Sequence, residues 1–125
     1  MAEKDTQKLI LAYLRLHEQA LAIRVNSGAT FAEYKGKRRM YRSNDSDGCS
    51  DILCCIRGRF VAIEVKFGKN RATPDQTSFL DSVTAAGGLA FVARSVRDVW
   101  EALSAEGLSV VGASRFEALE FVYGL

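Results

Sequence analysis

Among 125 residues the chain has one proline, one histidine and three cysteines, and nowhere an apolar run approaching the roughly 18 residues that a membrane-spanning helix requires. Its start, Met1-Ala2-Glu3-Lys4-Asp5, is polar and mixed in charge, unlike a secretory signal, so a cytoplasmic protein is expected. The cysteines are odd in number. Cys54 and Cys55 are neighbours in what reads as a strand, where they would point to opposite faces, so a disulfide framework is excluded. With no C-x-x-C spacing and His17 as the one histidine, a zinc site is disfavoured too, and any metal must be held mainly by oxygen. Scarce proline, scattered glycines and the absence of repeats or low-complexity tracts leave no linker, so residues 1–125 read as a single domain. Charge of one sign is also in short supply: 17 basic against 15 acidic residues give +2, too little to announce a nucleic-acid partner. That total hides a local excess. Five of the eight residues from 35 to 42 are basic, namely Lys35, Lys37, Arg38, Arg39 and Arg42, and a second group comprises Arg57, Arg59, Lys66, Lys69 and Arg71.

Leu9, Ile10, Tyr13, Leu14 and Leu21 recur at three- and four-residue spacings, which predicts a helix over about residues 4–20. A strand is expected at 21–26, a turn at Ser27-Gly28, and one short strand near 39–42 within the harder stretch 29–48. Two apolar runs, 51–56 and 60–67, flank Arg57-Gly58-Arg59 and predict a hairpin. If the turn has two central residues including Gly58, paired positions sum to an odd number, for example 51 with 64 or 51 with 66. Asp51, Glu64 and Lys66 then share one face, and Ile52, Cys54, Ile56, Val61, Ile63, Val65 and Phe67 share the other. A loop of odd length would place Asp51 in the apolar set, the costlier outcome. Thr73-Pro74-Asp75-Gln76 has capping-box spacing with proline at the first helical position, and Gly87-Gly88 closes the helix it opens, about 74–86. A buried strand at 89–94, a helix from the Ser95 cap to about 106, a possible edge strand at 108–111 and a helix from Ser114 to about 123 complete the chain. The order α, three or four strands, α, β, α implies an α/β fold with a mixed sheet and helices on its faces.

The hairpin brings two carboxylates and an ammonium together. Like charges so close raise one pKa or demand a cation, and oxygen ligands suit Mg²⁺ or Mn²⁺, which take one or two carboxylates and leave other positions to water and substrate phosphate. Lys66 beside them could orient a water for attack. The same spacing also fits a cross-strand salt bridge on an exposed sheet face.

Gly48-Cys49-Ser50-Asp51-Ile52-Leu53, then Ala62-Ile63-Glu64-Val65-Lys66-Phe67-Gly68-Lys69, then Thr73-Pro74-Asp75-Gln76 with a helix and Gly87-Gly88, closely resemble the VRR-NUC branch of the PD-(D/E)XK nuclease superfamily over roughly residues 3–100. One departure is Ser50, where the superfamily carries proline. The resemblance implies a restriction-endonuclease-like mixed sheet flanked by helices, with an αβββαβα core, and Mg²⁺- or Mn²⁺-dependent hydrolysis of phosphodiester bonds. It implies Asp51, Glu64 and the carbonyl of Val65 as metal ligands, and Lys66 as the lysine that positions or activates water. Glu3 matches an acidic residue contributed by the first helix, although acidic residues are favoured near any helix N-terminus. Gln76 matches the family's glutamine, although its place in a capping box explains it equally. Stand-alone members, typically from phage or bacteria, resemble Holliday junction resolvases and often act as homodimers.

With such a site, Lys35, Lys37, Arg38, Arg39 and Arg42 become a candidate DNA-contacting arm, joined by Lys69 and Arg71, because phosphate contacts supply most nonspecific affinity. No base-reading module fits in the remaining chain, so recognition of DNA shape, such as a branch or four-way junction, is favoured over sequence. The rival is a catalytically silent DNA-binding or scaffold module of the same fold, against which the intact Asp51, Glu64 and Lys66 argue. His17 is assigned to solvent or a cap, and Phe79, Leu80 and Trp100 to the core. Tyr34 and Tyr41 bracket the basic cluster.

Overall fold

The computed structural model of the chain describes residues 3–25, 29–42, 45–109 and 113–124. Helix α1 (Glu3–Leu14) leads into strand β1 (Ala20–Arg24), and a two-stranded sheet follows, β2 (Ala29–Tyr34) with β3 (Lys37–Arg42). Strands β4 (Ile52–Ile56) and β5 (Arg59–Val65) precede α2 (Pro74–Ala85), β6 (Leu89–Ala93), α3 (Val96–Ala105) and α4 (Ala113–Tyr123). The main sheet has the order β1-β4-β5-β6, antiparallel except for the parallel β5–β6 pair that α2 connects. This is an α/β fold with a mixed sheet flanked by helices. Setting aside the β2–β3 insertion and α4, the element order is α-β-β-β-α-β-α.

The hairpin turn sets the register of the sheet. Arg57 (φ 50°) and Gly58 (φ 81°) both lie in the left-handed region, as a two-residue type I′ turn requires. Ile56 therefore pairs with Arg59 and Ile52 with Ile63, and the same register places Asp51 opposite Glu64. Ile52, Cys54, Ile56, Val61, Ile63 and Val65 face a large core built with Ile10 and Leu14 of α1, Val99 and Leu103 of α3, and Phe116 of α4. The opposite face is covered as well: Ala62, Leu80 and Val83 form a second apolar cluster beneath α2, with Leu53, Phe79, Ala90 and Val92 packed against it. Trp100 is partly buried against the main core and stacks on Phe116 with ring centroids 4.9 Å apart.

The structure corrects several expectations. Helix α1 ends at Leu14, before the apolar stripe runs out. Past that point Leu16 (60% exposed) and Leu21 (70% exposed) would find no core to face, and Ala22 is the residue β1 turns inward. His17 sits in the intervening turn, where its Nδ1 accepts the Gln19 N–H at 3.0 Å. Phe67 is not part of the apolar face, because β5 stops at Val65 and Phe67 is 51% exposed. Residues 29–42 hold two strands where one was expected, joined by a two-residue turn at Lys35-Gly36, a signal readable in the sequence and passed over. Leu108 and Ser109 are not in a strand, and the rest of that expected edge strand lies outside the described residues. Helix α4 begins at Ala113, one residue ahead of the expected Ser114 cap. The three cysteines are free, with Cys54 buried and Cys55 exposed, as alternation along β4 dictates.

Candidate active site

Asp51 stands immediately before β4. Its backbone carbonyl accepts the Val25 N–H at 2.7 Å, and its side-chain Oδ2 accepts the Val65 N–H at 2.9 Å. One carboxylate oxygen of Asp51 is thereby locked across the hairpin against the backbone that carries Glu64 and Lys66. Glu64 lies within β5 and is 1% exposed. It is no member of an exposed salt-bridged face, because α2 covers this side of the sheet. Lys66 follows β5, its Nζ 3.7 Å from Glu64 Oε1 and its side chain only 12% exposed. Glu64 Oε2 is buried and has no hydrogen-bond partner among the described residues.

This geometry shifts the proton affinity of Glu64 strongly. Burial, followed by the Asp51 charge and hydrogen bond, pushes its carboxyl up to about 8, against a smaller opposing effect of Lys66. The charge of Glu3 pushes the same way, which places the first turn of α1 within electrostatic reach of the site. Asp51, Glu64 and Lys66 are thus brought together, and Glu3 reaches them only through its charge. Gln76 is placed differently: its side-chain oxygen accepts the Thr73 N–H at 2.9 Å while its own N–H donates to Thr73 Oγ1 at 3.2 Å, so that oxygen is committed to capping α2. Among the described residues no three His, Cys, Asp or Glu side chains form a metal-holding group. A cation here would be held by the carboxylates of Asp51 and Glu64 and by water, a donor set that suits Mg²⁺. The buried Glu64 Oε2, without a hydrogen-bond partner among the described residues, fits that role.

Gly48 positions the loop that delivers Asp51. Its φ is +72°, and a Cβ there would overlap the Asp75 carbonyl and lie 2.6 Å from the Gln76 amide nitrogen. The loop therefore packs backbone to backbone against the α2 N-terminus. Gly48→Ala is expected to destabilise the fold by about 2 kcal/mol or more, from left-handed strain plus an overlap with rigid backbone. Urea unfolding would check this, and a loss below about 0.5 kcal/mol would contradict the close approach.

The side chains of Cys49 and Ser50, which lead into Asp51, are both buried. Burial, with Glu64 and Asp51 nearby, raises the Cys49 thiol pKa, which makes it an unreactive thiol beside the carboxylates. Ser50 Oγ has no hydrogen-bond partner among the described residues. Arg94 was missed altogether. It lies just past β6, and its guanidinium donates to the carbonyls of Gly68 (2.9 Å) and Asn70 (2.6 Å) in the segment after Lys66. No spacing rule links residues across a parallel strand pair, so only their proximity shows this contact.

The basic residues divide. Lys69 and Arg71 are exposed between Lys66 and α2, and Lys35, Lys37 and Arg38 are exposed on the tip of the β2–β3 hairpin. Arg39 and Arg42 lie on β3, and their side chains, like those of Tyr34 and Tyr41, are outside the described residues. Arg57 and Arg59, grouped by sequence with Lys66, sit at the opposite end of the β4–β5 hairpin. There Arg57 donates to Gln19 Oε1 and the Gly107 carbonyl, and Arg59 pairs with Glu106 at 2.7 Å. No family model matches the chain, and no curated protein matches it.

Proposed function

We propose that this chain is a metal-dependent, structure-selective DNA endonuclease of the VRR-NUC type in the PD-(D/E)XK superfamily. It hydrolyses phosphodiester bonds of four-way junctions or other branched DNA as a homodimer, in the cytoplasm of a bacterial or phage-infected cell. Glu64 carries this reading: a carboxyl with 1% exposure near Asp51, one of its oxygens without a hydrogen-bond partner among the described residues, is expensive to ionise unless a cation offsets the charge. Asp51, Glu64 and the Val65 carbonyl would hold Mg²⁺ or Mn²⁺. When bound, such a cation polarises a phosphoryl oxygen and lowers the pKa of its water.

The chain supplies the remaining functions. The Val65 N–H fixes the orientation of Asp51. Lys66, held beside Glu64 and largely shielded from solvent, orients the attacking water toward the phosphorus. Glu3 adds negative charge that favours a cation over an empty site. The β2–β3 hairpin enters the chain between the end of β1 and the start of β4, the end of the sheet where Asp51 stands, so its lysines and arginines can follow the phosphates of a bound strand. Two copies related by a two-fold axis would present one site to each of two strands. Among the described residues no helix is long and apolar enough to cross a membrane.

Cleavage of labelled four-way junction, flap, single-stranded and duplex DNA in Mg²⁺, Mn²⁺ or EDTA tests the reading. Metal-dependent, symmetric junction cutting is the expected result. No cleavage of any substrate, with DNA binding retained, would replace it by the silent binding module.

A further inference from the structure

Phe67 belongs by alternation to the apolar face of β5, but it follows the last residue of that strand and its ring is half exposed. It stands directly after Lys66, about 3.8 Å along the chain from Cα to Cα. The segment around it is held in place. The Lys66 N–H donates to the Ala93 carbonyl at 3.0 Å, and the Asn70 N–H donates to the Phe67 carbonyl at 3.1 Å. The Arg94 guanidinium grips the carbonyls of Gly68 and Asn70, while the Arg94 N–H donates to Asp98 Oδ2 at 2.8 Å, tying the clamp to the start of α3. Lys69 lies inside this turn and Arg71 just beyond it, both exposed. An isolated surface phenylalanine carries no meaning by itself. A phenylalanine on a clamped turn that also carries the exposed Lys69 and Arg71 is another matter, because single-stranded nucleic-acid sites combine cations that track the backbone with a ring on which a base stacks.

We propose that Phe67 stacks on a nucleobase of the bound DNA, selecting DNA in which that base is unpaired or readily unstacked, and that Arg94 is the positioning residue that holds the turn bearing it. The proposal rests on the DNA-cleaving reading and narrows its substrate class. In intact duplex the bases are already stacked on one another, so the ring can engage one only by extruding it; at a fork, flap or junction that cost is reduced.

The test measures binding of the full chain, in EDTA and at fixed salt, to a forked DNA carrying 2-aminopurine at the branch and to the matching duplex. Phe67→Ala should weaken fork binding at least fivefold relative to duplex binding, and Phe67→Tyr should restore it. Arg94→Lys keeps the charge but cannot grip both carbonyls, so it should lower the fork-to-duplex ratio with an unchanged salt dependence. A merely structural role for Arg94 would lower the melting temperature and leave that ratio alone. A wild-type ratio in Phe67→Ala, or no binding to either DNA, overturns the proposal. Failure of the nuclease reading looks different: Phe67-dependent fork binding would persist while wild type cleaves nothing in Mg²⁺ or Mn²⁺.

Discussion

Lys66→Ala will slow metal-dependent DNA cleavage by about 100-fold or more, while Mn²⁺ still raises the melting temperature of the variant. Lys66 Nζ lies 3.7 Å from Glu64 Oε1, close enough to act on the same water and phosphate but not a cation ligand itself. In the proposed mechanism, removing it takes away the group that would act on the reacting atoms and leaves both carboxylates in place. Asp51→Ala is expected to behave differently, losing cleavage and the metal-induced stabilisation together, because its carboxylate would belong to the cation-holding set. Single-turnover cleavage and thermal melting with and without Mn²⁺ separate the two variants. Cleavage by Lys66→Ala within tenfold of wild type would remove the lysine from the mechanism.

Glu64→Gln should stabilise the metal-free protein at high pH and abolish its response to metal. The Glu64 carboxyl is raised from its ordinary value of 4.5 to about 8, chiefly by burial and by Asp51. Below pH 4.5 the group is protonated in the folded and unfolded chains alike, and its titration has no effect on stability. Between 4.5 and 8 the folded chain keeps a proton that the unfolded chain has released, so stability falls as pH rises; above 8 the full cost of a buried charge is present. That cost is on the order of 5 kcal/mol for a side chain so nearly buried. Glutamine cannot ionise and escapes it. Urea unfolding in EDTA at pH 5, 7 and 9 should show wild type losing stability with pH relative to Glu64→Gln. Added Mn²⁺ should recover stability for wild type at the two higher pH values and not for the variant. Parallel pH curves in EDTA would mean that Glu64 titrates normally and that no strained carboxylate pair exists.

The elements legible in the sequence are those set by neighbours along the chain. The Arg57-Gly58 turn selects a two-residue loop, the loop fixes the parity of the β4–β5 register, and the register places Asp51 opposite Glu64. The α2 start was equally readable, since Thr73 and Gln76 satisfy each other's backbone groups within four residues. Helix α1 was overextended because periodicity records which residues could share a face and not where the core ends. β2 carries one local signal, the two-residue turn at Lys35-Gly36, while the run of charge that follows it records no core-facing alternation.

By itself the sequence determined the local frame of this protein: the hairpin and its register, the caps of α2 and α3, and the membership of Asp51, Glu64 and Lys66 in one cluster. These follow from turn chemistry and strand alternation, which act over a few residues. Only the tertiary structure decided that Glu64 is buried, that Gly48 abuts the start of α2, and that Arg94 clamps the turn bearing Phe67. Each of these depends on α2 and β6 folding back over β5, and burial and electrostatic coupling belong to that three-dimensional packing rather than to spacing along the chain.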